Sequence, residues 1–434
     1  MKFEAFETKR SVTRIAVLAL VFATAATASA QAQDYTVLYT FTRGADGANP
    51  VDSLLRDAAG NIYGTTFDGG TAGVVFKLVP SRTETVLHNF AGNCYGSSCT
   101  NPNSAPDGAN PIAGVIRDPQ GNLYGTTSLG GVNYVGTVFK LDSTGQETFL
   151  YSFGDGYPDG GVIRDSAGNL YGATTDGGIG YGAVFKLDTS GKESNLYSFI
   201  GGPYGYFPFS ALIQDPNGNF YGTTYAGGDM SACEGVGCGV VFKVDPSGNE
   251  TVLYSFTGGT DGSETMAGLV RDKEGNLYGT TYEGGRFGAG AVFKLDTAGN
   301  ETTLHSFAGG TDGAHPNGGL TLDSDGGLYG MTVLGGVNQA CPSAEGCGTV
   351  FRINNRGRET VLHRFKGYSD GAYPQAGLVL DGRDLYGATY AGGTFDAGVI
   401  FKLTLRGKCD DDEESGEEQS PSIITQAGAT SDMR

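Results

Sequence analysis

Tryptophan is absent from the 434 residues, and histidine occurs only four times. Basic side chains are scarce beside acidic ones, 28 Lys and Arg against 47 Asp and Glu, which leaves a net charge of −19. A surface of that sign repels phosphate backbones and excludes nucleic acid as a natural partner. Long apolar runs are missing too. The longest, from Ile15 to about Ala26, is about a dozen residues, where a spanning helix needs about 20. The 15 prolines follow no triplet period, so the glycine excess is not collagenous. No Ser-His-Asp arrangement with a nucleophile elbow and no phosphate-binding glycine loop is present, so neither catalytic residues nor a cofactor is expected.

What is present in excess is glycine, 74 residues, alongside 23 Tyr and 24 Phe. Turns joined by aromatic-rich strands explain that combination better than low-complexity disorder, because the apolar bulk suffices for a core. Six of the seven cysteines fall in close pairs, Cys94/Cys99, Cys233/Cys238 and Cys341/Cys347, which read as three local disulfides of an exported chain. Pairs spaced this way, without histidine nearby and in different parts of the chain, do not make a zinc site, and no metal ligand set is expected. Cys409 is left over.

The N-terminal segment supports export. Lys9, Arg10 and Arg14 precede the short apolar run, and Ala28-Ser29-Ala30 fits a small-residue cleavage site, predicting a signal peptide over 1–30. That segment carries four basic and two acidic side chains, so its removal takes the net charge from −19 to −21. Residues 404–434 hold Asp410-Asp411-Asp412-Glu413-Glu414 and Glu417-Glu418, a like-charge block expected to stay solvated and disordered. Neither end offers a membrane span after cleavage, so the protein is expected to be secreted, to the extracellular space or the periplasm.

Between these ends lies a repeat. A Y-G-x-T unit begins at Tyr63, Tyr124, Tyr171, Tyr221, Tyr278, Tyr329 and Tyr386, each time after an Asp-led turn and before Gly-Gly. A V-F-K-L segment follows, starting at Val75, Val138, Val184, Val241, Val292, Val350 and Ile400. An L-Y-S-F segment or near variant starts at Leu38, Leu87, Leu150, Leu196, Leu253, Leu304 and Leu362. Gly268–Arg271, Asn276–Thr281, Ala291–Leu295 and Thr302–Phe307 exemplify four short strands, A to D, bounded by Gly, Asp and Asn turns. Their nearly continuous apolar character suits a sheet covered on both faces, as a propeller blade is. The repeat region 31–403 starts with a D-type strand and ends just after a C-type strand, so the two ends together supply one complete unit. The expectation is an all-β, seven-bladed β-propeller of four antiparallel strands per blade, closed by the N-terminal strand joining the last blade.

The recurring L-Y-G-T-T-x-x-G-G, V-F-K-L and L-Y-S-F-x-G-G-x-D-G-A-x-P units resemble the tandem repeats of the GloVer family, the Gloeobacter/Verrucomicrobia-type repeats of "choice-of-anchor" surface proteins. The resemblance covers nearly all of 34–403. It implies bacterial export with surface display or release, and no established activity.

Loop length varies in the B–C and D–A connections, which an up-and-down blade places on one face, together with all three cysteine pairs. Function is therefore sought there. The D-G-A-x-P loops (Asp46, Asp107, Asp312 and Asp370, with a partial copy at Asp261) are read as structural turns into strand A. The other reading is a ring of carboxylates at the channel mouth that binds a cation. His88, His305 and His363 take the Tyr place of L-Y-S-F and read as strand aromatics. Asp312 and His315, together in one D–A loop, are candidate ligand contacts. So are Tyr204, Tyr206 and Phe207 in Pro203–Phe209, where exposed rings would stack on a sugar or grip a partner chain. Uniform repeats favour a secreted, non-enzymatic binding or scaffold protein that recognises an extracellular polysaccharide or protein. The alternative is a propeller enzyme of lactonase, lyase or glycosidase type, with acidic residues at the channel mouth.

Overall fold

The computed structural model describes residues 34–92, 107–336, 341 and 343–406; the 1–30 segment, the acidic tail, Cys94, Cys99 and Cys409 lie outside them. The four runs of each repeat form four antiparallel strands, and the chain folds into seven such sheets arranged as a seven-bladed β-propeller. In the first blade they are strand A (Leu55–Arg56), B (Ile62–Thr66), C (Val74–Leu78) and D (Glu84–Asn89). The described residues contain no α-helix, only three single 3-10 turns. Strand B of this blade is buried along its whole length, as expected for a sheet sandwiched between two others.

The seventh blade is built from both ends of the repeat region. Val379–Asp381, Asp384–Thr389 and Val399–Thr404 supply A, B and C, and Asp34–Thr40 adds strand D. The closing pair runs antiparallel from Asp34↔Thr404 to Thr40↔Val399. This pairing ties the two ends of the repeat region together within one sheet and gives the seventh blade its fourth strand.

One aromatic contact recurs at every blade junction. The Phe that ends strand D meets the Phe of strand C in the next blade edge to face, from Phe90–Phe139 at 5.1 Å to the closing Phe365–Phe401 at 5.4 Å. The glycine of Y-G-x-T exists for this ring. A Cβ on Gly64, Gly279 or Gly387 would sit 2.6–2.7 Å from the Cζ of Phe76, Phe293 or Phe401 on the neighbouring C strand. These glycines do not have positive φ, so they are required by packing and not by backbone conformation. The leucine of L-Y-S-F is also explained. It is the unpaired residue of a β-bulge between strands C and D, as Leu87 is between His88 and Val86. Leu87 packs into the cluster of Tyr63, Val115 and Phe139 at the junction with the next blade.

Strand A is shorter than the sequence predicts: in the fifth blade it is Val270–Arg271, without Gly268 and Leu269. The preceding residues turn to the propeller axis and bond to neighbouring blades instead. Thr65 Oγ1 donates to the Ala113 carbonyl at 2.9 Å, and Thr223 Oγ1 to that of Ala267 at 3.2 Å, each from one blade to the next. Small residues are needed here because the A segments nearly touch: a Cβ on Gly114 would lie 2.5 Å from the Ser53 carbonyl oxygen.

Because the strands alternate in direction, the short A–B and C–D turns share one face and the B–C and D–A loops the other. The turn face is held by aspartate. Asp57 accepts from the Ala59 and Asn61 N–H groups, the Asn61 amide and the Tyr63 hydroxyl, at 2.9–3.1 Å. On the loop face Cys233 is joined to Cys238 and Cys341 to Cys347, with Cα–Cα distances of 5.4 and 5.6 Å.

Candidate functional site

The D-G-A-x-P aspartates are clasps. Asp46 accepts from the Tyr39 hydroxyl at 2.9 Å and the Thr42 N–H at 2.8 Å, fastening the D–A loop to the end of strand D. Asp261 repeats this with Tyr254 and Thr257. Where histidine replaces tyrosine the clasp persists: His305 and Asp312 are 3.3 Å apart, His363 and Asp370 3.2 Å. Asp312 also accepts from the Ala308 N–H at 2.7 Å. None of these carboxylates lines the axis. The turn reading fits these contacts, in which the outermost strand holds the loop's acid.

At the junction of the fifth and sixth blades, Glu359 joins His305 and Asp312, and one ligand atom from each lies within 4.8 Å of the others. The glutamate is the first residue of strand D, and other junctions repeat it beside a tyrosine. Burial first, then the Asp312 charge, pushes its carboxyl up to about 7.

His315 does not stand free on the loop face. Its Nδ1 lies 3.1 Å from the Tyr282 carbonyl and 3.4 Å from Glu283, and its ring tilts over Tyr282 at 4.8 Å. Asn49 and Asn110, at the same place in their repeats, donate to the equivalent carbonyls of Tyr390 and Phe67. All three hold positive φ, so this position straps one blade to the end of strand B in the previous one.

The aromatic segment follows the ordinary D–A backbone instead of forming an insert: Tyr206 bridges to Ala226 as Ala48 does to Asp68. Tyr206 donates its hydroxyl to the Val236 carbonyl and packs on Tyr181 and Phe207. Tyr204 and Phe209, at 44% and 38% exposure, present their rings to solvent, while Tyr206 and Phe207 are half-buried. Exposed apolar residues extend well beyond this segment. Among the described residues there are twelve exposed large hydrophobic side chains, and every one lies in a B–C or D–A loop. Val132, Tyr134, Ile179, Tyr181, Phe287 and Tyr368 are among them.

A cavity of about 590 Å³ occupies the axis at this end. Seven of its lining residues, one per blade, stand at the end of the D–A loop just after its proline position: Val51, Ile112, Asp159, Phe209, Met266, Asn317 and Gln375. They are seven different residues in seven repeats that otherwise match closely. Asp159 accepts from Thr175 Oγ1 at 2.7 Å through one oxygen, and burial raises its carboxyl to about 6. Asp52, behind the ring, is tied by the N–H groups of Ser53 and Gly114, both at 2.6 Å. Burial nonetheless pushes its carboxyl up. In the sequence this ring shows only as a variable column, next to a proline in six of the seven loops.

The fold thus defines a seven-bladed β-propeller with a repeat-built frame, an irregular axial ring and an apolar loop face. The Gloeobacter/Verrucomicrobia repeat matches residues 22–161, 155–342 and 231–411, and the chain belongs to that family. No curated protein matches the sequence. Among solved structures, the extracellular domain of a protein described as a one-component system from B. thetaiotaomicron is similar over 86% of this chain at 15% identity, with a TM-score of 0.50. The chain spans 42% of that structure's length. A gluconolactonase from Xanthomonas campestris aligns at 12% identity over 86% of this chain and 90% of its own, with a TM-score of 0.41. A luciferin-regenerating enzyme aligns at 14% identity over 67% of this chain and 90% of its own, also at 0.41. Among the described residues no helix is long and apolar enough to cross a membrane.

Proposed function

We propose that the protein is an exported binding propeller, with residues 1–30 as its signal peptide and 404–434 as an acidic tail, that engages an extracellular polysaccharide through its loop face. The observation that carries this reading is the segregation of all twelve exposed large hydrophobic residues among the described ones onto the loops of one face. Scattered surface hydrophobics are ordinary, but their confinement to one side of a disc marks a contact surface. The two loop disulfides support an oxidising compartment. Replacing Tyr134, Tyr181, Tyr204 and Tyr368 together with Ser is expected to weaken retention on the polysaccharide the wild type binds by at least about tenfold. Unchanged retention, or a wild type that binds no polysaccharide but captures a protein by the same residues, overturns the polysaccharide reading.

A second reading, catalysis of lactonase, lyase or glycosidase type, is favoured by one feature: Asp159 faces the axial cavity with its carboxyl raised to about 6, a value suited to proton transfer near neutrality. Turnover of a cyclic ester or glycoside that Asp159→Asn abolishes would establish it.

A further inference from the structure

The axial ring departs from repeat symmetry where nothing structural asks it to. The packing glycines and the junction phenylalanines are constant because each has the same job in every blade, and a clasp aspartate recurs in five of the seven loops. The residue just after the proline position of the D–A loop takes a different identity each time, yet all seven face one cavity. Six of the seven are half-buried and the seventh, Phe209, is exposed, so solvent and small molecules reach them. The cavity volume, about 590 Å³, lies within the range of ligand pockets, about 300–1,000 Å³.

The lining restricts the occupant. It contains no Lys, Arg or His, so a phosphate, sulfate or uronate would meet Asp159 with no compensating cation. A wholly apolar ligand is equally unsuited, because it would strip water from polar groups that have no other partner. The second oxygen of Asp159 and the side-chain amides of Asn317 and Gln375 accept or donate no hydrogen bond among the described residues. Phe209, Tyr390 and Met266 supply flat or adaptable apolar faces on the same cavity. Clustered hydroxyls on a ring with apolar C–H faces satisfy both halves of this lining.

We propose that the axial cavity is a saccharide subsite that takes a neutral sugar of one or two rings, the end of a glycan chain whose remaining length lies across the loop face. The inference rests on the loop-face binding reading and names its ligand end. Asp159 accepts from sugar hydroxyls, Asn317 and Gln375 each offer one acceptor and two donors, and Phe209 packs against a ring face.

The test is calorimetric titration of the full chain with neutral hexoses and disaccharides, with glucosamine and glucuronic acid as charged counterparts. Neutral sugars are expected to bind. The Asn317→Ala/Gln375→Ala double variant and the plugging variant Met266→Trp are each expected to weaken them at least tenfold, with the thermal midpoint preserved. Asp159→Asn, nearly isosteric, provides a check if the plug disturbs folding, and it too should weaken binding. The proposal fails if no neutral sugar binds, if only a charged sugar binds, or if the amide and Asp159→Asn variants bind as the wild type does. The loop-face tyrosine variant separates the two readings. It should lose polymer retention while keeping small-sugar affinity. Retained polymer binding in that variant would sink the loop-face reading alone.

Discussion

A methyl group's width decides the repeat at the residue scale. Gly279 lies under the Phe293 ring, where a Cβ would stand 2.7 Å from Cζ, closer than carbon atoms tolerate. Gly279→Ala is therefore expected to destabilise the protein by about 1–3 kcal/mol through overpacking, measured as a lower midpoint of urea unfolding. Gly279→Ala/Phe293→Leu should recover part of the loss, since leucine withdraws the clashing atom. Gly275, at φ +95° in the A–B turn of the same blade, fails differently. There the left-handed backbone itself resists a side chain, and no partner substitution should rescue it.

Two acid populations with opposite behaviour meet at the scale of strands and turns. The turn aspartates, Asp57 and Asp215 among them, are pushed up by burial, but hydrogen bonds from Asn, Tyr and backbone N–H groups outweigh it and hold them below the ordinary value. Their stabilisation is present above the unfolded pKa of about 4 and is lost as pH falls through the lower folded value. The glutamates that open strand D behave in reverse. Burial raises Glu84, Glu250 and Glu359 to about 7, and one oxygen of each is buried without a partner. The folded state then binds protons that the unfolded state releases, so stability declines as pH rises from about 4.5 to 7. Thermal unfolding across pH 3–9 is expected to show its highest midpoint near pH 4.5–5. Replacing Glu84, Glu250 and Glu359 with Gln should flatten the decline toward neutral pH. A maximum at pH 8 would contradict this assignment.

For the molecule as a whole, closure depends on one exchange of residues. At the seam, Tyr35 occupies the place that Glu84 or Glu359 holds elsewhere, opposite Leu403 as those are opposite Leu78 and Ile353. It stacks on His363 at 4.0 Å with the rings 2° from parallel, and donates its hydroxyl to the Asp370 carbonyl at 2.6 Å. Tyr35→Ala is expected to cost about 3 kcal/mol, with hydrogen exchange rising first in Asp34–Thr40 and Val399–Thr404. The blades and this seam were legible in the chain, because constant residues recur at fixed spacing and the incomplete end units are complementary. The clasps were only half legible: Asp46 announced a turn, but its partner Tyr39 lies on a strand whose side-chain direction periodicity does not give, since the bulge at Leu38 shifts it. The axial ring escaped notice because a search for repeats discards the column that varies. His315 shows the reverse case. It looked singular, yet it performs the strap role of Asn49 and Asn110 with a different donor atom.

The seam also sets a timetable. Strand Asp34–Thr40 is translated about 360 residues before its partner Val399–Thr404. At ribosomal speeds of roughly 5–20 residues per second, it waits on the order of 20–70 seconds for that partner. Through that interval the earliest strand has no partner of its own and stays available to any other open edge. A second, incomplete copy of the chain is such an edge, so crowded synthesis would favour exchange of this one strand between molecules. The last six residues to join the sheet therefore act as a proofreader: only a chain made through to Thr404 can retrieve its own beginning.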